Sequence, residues 1–197
     1  MRGLRRSILS AILFLFITIV FVPLPVLADN AVVSVQPPVS NPGVGSSFDV
    51  FVNISSVKDL YAFQFDVGFN PSVISALTVT EGAFLPNGGT TSFIPGSIDN
   101  IGGLITNNAD ILLGSIPGVS GDGPLLEISF QALTAGVSLI SLSNIILLDS
   151  NSDDIPFTST DGTVRTVDQA QVPEPSTILF LGSGLVGLIG FRKKIAK

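Results

Sequence analysis

Asp149-Ser150-Asn151-Ser152-Asp153-Asp154 places side-chain oxygens two positions apart at Asp149, Asn151 and Asp153, the spacing with which a loop begins to wrap a hard cation such as calcium. The second half of such a loop is missing. Asp154 stands where its glycine would be and Thr160 where its closing Glu would be. Runs of Asn and Asp are equally the stuff of hairpin turns, so a calcium site at Asp149, Asn151 and Asp153 and a plain turn are both open. Asp66, Glu81, Asp110 and Glu127 are carboxylates for acid–base work only if the fold brings two of them together; on strand exteriors such groups mostly solubilise. Asp153 and Asp154 are adjacent, so in extended chain they point to opposite sides and cannot flank one bond. The chain has no Cys, no His and no Trp, which removes thiol nucleophiles, soft metal ligands and the commonest general base together. Its serines have no base to activate them. The expectation is a protein that is not an enzyme, with no catalytic and no cofactor-binding residues. Gly88-Gly89, Gly102-Gly103 and the run Gly118 to Gly123 are followed by no Lys and no helix, and read as turns rather than phosphate loops.

The elements that would position any such groups are strands. Short β-rich runs alternate with Gly, Pro, Asn and Asp clusters. They are expected at Val32 to Val35, Phe48 to Ile54, Tyr61 to Phe69, Val73 to Thr80, Ser92 to Ile94, Leu104 to Leu113, Leu125 to Ala132, Ser138 to Leu147 and Thr163 to Val167. About nine strands suit an all-β sandwich. Between 61 and 69 the alternation is cleanest: Tyr61, Phe63, Phe65, Val67 and Phe69 share one face, and Ala62, Gln64, Asp66 and Gly68 share the other. The aromatic face belongs to a core, and the small, polar face is left for water or a partner. Without cysteines the fold is held by burial. Asn53-Ile54-Ser55 has the form of a glycosylation acceptor, but inside a strand it is incidental.

Charge separates the domain from its ends. Lys58 and Arg165 are the only cations between residues 29 and 172, against fourteen carboxylates. Such a surface repels phosphate backbones, so no nucleic acid is expected as partner. Arg2, Arg5 and Arg6 precede an apolar run from Ile8 to Val22, and small residues lead up to Ala28 and Asp29; residues 1–28 read as a signal peptide cleaved between those two. At the other end Val172-Pro173-Glu174-Pro175 is extended chain that fits neither helix nor ladder. Residues 169–176 form a linker with this motif, and 177–197 a glycine-containing hydrophobic helix of transmembrane type ending in Arg192-Lys193-Lys194. The basic end stays cytoplasmic and the domain, residues 29–168, lies outside.

The order of motif, apolar segment and basic end closely resembles the PEP-CTERM sorting signal. That resemblance implies processing by an exosortase-type protease, membrane contact through the C-terminal segment before processing, and a final place in the envelope, outer surface or matrix of a bacterium with an outer membrane. The segments Tyr61 to Ile74, Thr80-Glu81-Gly82, Leu125 to Ala132, Leu147 to Ser150 and Asp161 to Val164 resemble the cohesin domain in order and spacing. This similarity implies a jelly-roll sandwich whose work is binding: a protein partner, dockerin-like or another surface protein, or a polysaccharide, the fold being close to certain carbohydrate-binding modules. In the scaffold-type members of that family, polar Asn and Asp align with Ala62 and Gln64, so the resemblance implies a face of different chemistry here. Few flat aromatics are left over for sugars.

Overall fold

The computed structural model describes residues 30–169, and its ladders hang on one long strand. β1 (Ala31–Gln36) is followed by β2 (Ser47–Gly68), which runs for 22 residues. In the first half of β2, Phe48, Val50, Val52 and Ile54 are buried in alternation with more exposed neighbours; branched and aromatic side chains at this period form a pleated surface with one dry face. The strand then turns a corner. Ser56 and Asp59 take φ values of 56° and 58°, and the register against β6 (Val119–Ala132) slips between Ile54 and Val57 and again between Val57 and Leu60. Bulges of this kind bend a strand out of one sheet and into the other.

The two halves of β2 therefore serve two layers. In the first the order is β3 (Ile74–Glu81), β6, β2, β1 and β8 (Phe157–Thr160). In the second, β5 (Leu104–Ile111) and β7 (Gly136–Asp149) flank the second half of β2, with β4 (Ile94–Asp99) beyond β5 and β9 (Gly162–Thr166) beyond β7. Neighbours are antiparallel except β1 and β8. Between the layers lie the buried side chains of Val33, Val50, Phe65, Val67, Ile105, Ile128, Ile140 and Val164. Phe130 organises one end, stacked on Phe48 at 5.9 Å and meeting Phe69 edge-on at 5.4 Å.

The all-β sandwich expected from the alternation is what the chain forms, with four departures. The two strands expected at 48–54 and 61–69 are one. β6 begins at Val119, so the glycine-rich run 118–123 is mostly ladder rather than turn: Gly121 and Gly123 pair with Val57 and Ile54 at the corner of β2. β8 was not expected, and β4 extends to Asp99 through Pro95 and Gly96, which an exposed edge strand tolerates. A 3₁₀ turn, Leu85–Gly88, follows β3. The expected signal peptide with its Ala28–Asp29 cleavage position, the motif Val172-Pro173-Glu174-Pro175 and the hydrophobic helix 177–197 lie outside the described residues.

Candidate binding face

Phe63, Phe65 and Val67 of β2 are buried, as is Phe69 just beyond its end, and Ala62 and Gln64 emerge on the opposite side of the sheet. Their cross-strand neighbours make the face. Ala62 lies opposite Ile111 of β5 and Leu148 of β7, and Gln64 opposite Ala109 and Ile146. Beyond Ala109 comes Ile94 of β4. Ile94, Ile111 and Ile146 are 55%, 42% and 45% exposed, and together these side chains line a shallow groove of about 260 Å³. An apolar floor on a rigid sheet, open to water, is a surface suited to burying another apolar surface.

Ile111, Ile146 and Leu148 reach this side because two strands reverse their phase. On β5, Ile105 faces the core, yet three residues later so do Asn108 and then Asp110. Asn107 between them has a φ of 58°, and this extra residue hands the outward positions to Ala109 and Ile111. On β7, Ser138 and Ile140 are buried before Asn144, whose φ is 51°, and Leu147 after it, which turns Ile146 and Leu148 outward. Both bulges are held by one carboxylate. Asp66 Oδ1 accepts from the Asn107 backbone N–H at 2.7 Å, and Asp66 Oδ2 accepts from Asn144 Nδ2 at 2.6 Å.

Asp66 was expected to face a partner. It does lie on the side of Ala62 and Gln64, but it is 8% exposed with both oxygens engaged; it positions the face instead of offering itself. Gly68, at the end of the row, is half-buried opposite Ser141, whose hydroxyl occupies the space a Cβ would need. The apolar residues of the face escaped the sequence reading because simple alternation puts Asp110 outside and Ile111 inside. The signal available was Asn at 107 and at 144, a residue type that tolerates the left-handed region bulges use.

The other candidates resolve locally. Asp149 Oδ1 accepts from the backbone N–H groups of Asn151 and Asp153, at 2.8 and 2.9 Å, the arrangement of a self-capped turn. Among the described residues, no three acidic side chains gather as a metal site. Nearby, Asp59 at the corner of β2 accepts from Ser150 Oγ at 2.6 Å and from the Gly118 N–H at 2.6 Å. These bonds, the Ser150 hydroxyl first, hold its carboxyl below the usual range against the opposing effect of burial. Gly118 is needed there, since a Cβ would come within 2.4 Å of the Asp59 backbone.

Of the four scattered carboxylates, only Glu81 and Asp110 meet. Glu127 stands opposite Thr80 and Phe51 in the first layer. Asp110 is 2% exposed and points between the sheets, where Glu81 from the end of β3 comes within hydrogen-bond reach. Burial, then Glu81, raise the Asp110 carboxyl to about 7, opposed by the Ile111 N–H at 2.9 Å. The Asp110 side chain of the pair is buried on the Phe63 side of the sheet, away from the outward row of Ala62 and Gln64.

The fold is a two-layer β sandwich with a bulge-set apolar face on its second layer. The chain belongs to the cohesin-domain family, whose profile matches residues 33–166, and cohesin domains are non-catalytic binding modules. A PEP-CTERM protein-sorting motif matches residues 171–194 and indicates an exported protein processed at the cell envelope. Similar solved structures include a non-cellulosomal cohesin from the archaeon Archaeoglobus fulgidus, with 18% identity and TM-score 0.57, covering 72% of this chain and 94% of that one. The third ScaC cohesin of Acetivibrio cellulolyticus, solved in complex with the ScaB dockerin, shows 16% identity and TM-score 0.57 over 70% of this chain and 99% of its own. A cohesin–dockerin complex from Clostridium thermocellum shows 14% and 0.57 over 71% and 100%. At these identities the likeness is one of fold. No curated protein matches the chain in sequence.

Proposed function

We propose that this chain is an exported surface or matrix protein whose cohesin domain grips a protein partner on the outward face of the second layer. The observation that carries this reading is the groove between Ile94, Ile111 and Ile146, floored by Ala62 and backed by a continuous ladder. Related cohesins are found in complexes with dockerins, which supports a protein as the ligand. The face here is mostly aliphatic, with Gln64 as its central hydrogen-bonding group. The fitting partner presents an apolar ridge with few polar groups, and basic residues around it complement fourteen carboxylates. The sorting motif supplies the address: residues 172–175 are the grip for an exosortase-type protease, after which the domain stands at the outer surface or in the matrix.

A polysaccharide ligand is the less supported reading. Sugar platforms are exposed flat rings, and among the described residues no aromatic side chain belongs to the exposed hydrophobic surface. Tyr61 is half-buried, with its hydroxyl donating to the Gly114 carbonyl.

The test is capture from the producing cell's own surface fraction by three baits: the natural chain, Ala62→Arg in the groove and Thr78→Arg on the exposed side of β3. A protein retained by the first and third baits and lost by the second supports the reading. A protein retained equally by all three, or a glycan array bound tightly by the natural chain, refutes it.

A further inference from the structure

The Glu81–Asp110 pair does no work in the proposed binding reaction, and its surroundings are specific. Asp110 Oδ1 accepts from the Ile111 N–H, while Asp110 Oδ2 is buried with no hydrogen-bond partner among the described residues. Glu81 is held from its other side by the hydroxyl of Thr91, which donates to Glu81 Oε1. Thr91 belongs to a strap, residues 90–93, that lies along the end of β5. It bridges to Leu112; the Ser92 N–H donates to the Ile111 carbonyl and the Leu113 N–H to the Thr90 carbonyl, each at 2.8 Å. The strap then enters β4 at Ile94, the rim of the groove. The charge environment is simple. Opposite Asp110 on β2 is Phe63, and opposite Glu81 on β6 is Leu126; Asn108 on β5 and Leu112 just past its end are the uncharged neighbours along the chain. Lys58 and Arg165 are exposed elsewhere, the Tyr61 hydroxyl is spent on Gly114, and Glu81 is the one charged group that acts on Asp110.

Two carboxylates cannot both stay ionised in contact inside a protein. We infer that Asp110 Oδ2 carries a proton which it donates to Glu81, and that this shared proton locks the 90–93 strap, and with it the Ile94 rim of the groove, onto β3. Loss of the proton sets two anions against each other; Glu81, the more exposed partner, swings out, and Thr91 loses its anchor. The device makes the edge of the binding face firm in mildly acidic surroundings and loose in alkaline ones. It concerns the edge of the face and stands whether the partner is a protein or a glycan.

Asp110 is raised, from 3.8 to about 7, so its stabilising effect is full below the unfolded value and is lost as pH climbs to the folded one. Each pH unit between 5 and 7 then shifts the opening equilibrium up to about tenfold. The experiment is hydrogen exchange and thermal unfolding of the purified full chain between pH 5 and 8, read as protection factors at Ser92 and Leu113. Protection of both amides should fall by one to two orders of magnitude and the melting temperature should drop. Asp110→Asn, which replaces the acid by a neutral donor, should erase both trends; Glu81→Gln, which removes the repulsion, should shrink them and serves if the first variant does not fold. A flat natural profile overturns the inference, as does an undiminished trend in Asp110→Asn. Restoration of the natural chain at pH 8 by a few millimolar calcium, absent in Asp110→Asn, also overturns it, because a cation rather than a proton would then join the pair.

Discussion

Phe65 and Gln64 are neighbours in one strand, and replacing each by alanine separates the inside of this sheet from the outside. Phe65 is fully buried and stacks on Phe63 with ring centroids 5.5 Å apart and planes 20° from parallel. Truncation to Ala removes the ring's transfer free energy and leaves a cavity in a region pinned by two flanking strands, so collapse around it is limited. Buried Phe→Ala changes cost about 3–5 kcal/mol, and the lost stacking places this one toward the upper half. At roughly 2–4 °C per kcal/mol for a chain of this size, Phe65→Ala should lower the melting temperature by about 10–15 °C. Gln64 points into the open groove, so Gln64→Ala should stay within about 0.5 kcal/mol of the natural chain. With no Trp to report, urea unfolding followed by far-UV circular dichroism is the assay, and the denaturant slope should be the same for all three proteins. Equal losses in the two variants, or a larger one for Gln64→Ala, would refute the assignment of faces.

Asp66→Ala leaves the Asn107 N–H and the Asn144 amide without their acceptor; at about 1.5 kcal/mol or more per charge-assisted bond the loss should be near 3 kcal/mol by urea unfolding, with Asp66→Asn intermediate and exchange at Asn107 accelerated in both. Asp59 is held below its usual range, so its contribution is present above about pH 4 and lost as pH falls through its lowered value; Asp59→Asn should flatten the acid limb of a melting-temperature profile and leave the profile above pH 5 parallel to the natural one. Ile146→Asp puts a charge where about 1.5–3 kcal/mol of apolar burial is expected on binding. Isothermal titration against the captured partner should show affinity down by 10-fold or more, with the melting temperature unchanged.

How much of this was legible in the sequence follows from where simple alternation holds. Along 61–69 nothing interrupts the period of two, and the buried set was read correctly at Phe63, Phe65, Val67 and Phe69. Along 104–111 and 136–149 a single asparagine in the left-handed region resets the count, so simple alternation would put Asp110 outside and hides the isoleucines that make the groove. Asp66 shows the same blind spot from the other side. Its side of the strand was right, but whether an acid there meets solvent or two bulges depends on strands some 40 and 80 residues further along the chain. The 22-residue length of β2 was hidden because its corner, Ser55 to Asp59, has the polar composition of a loop, yet its bulges keep it in the ladder. In the Asp149 loop composition alone favours two outcomes, and the turn's hydrogen bonds, from the Asn151 and Asp153 N–H groups, come from backbone that no composition reveals.

The most direct measurement is a hydrogen-exchange footprint of the full chain with and without the partner it captures. Slowed exchange confined to residues 61–66, 105–111, 142–148 and the 90–95 edge is the predicted result. Protection of β1, β3 and β6 instead, with the groove strands unchanged, would contradict the claim that this sheet is the one that binds.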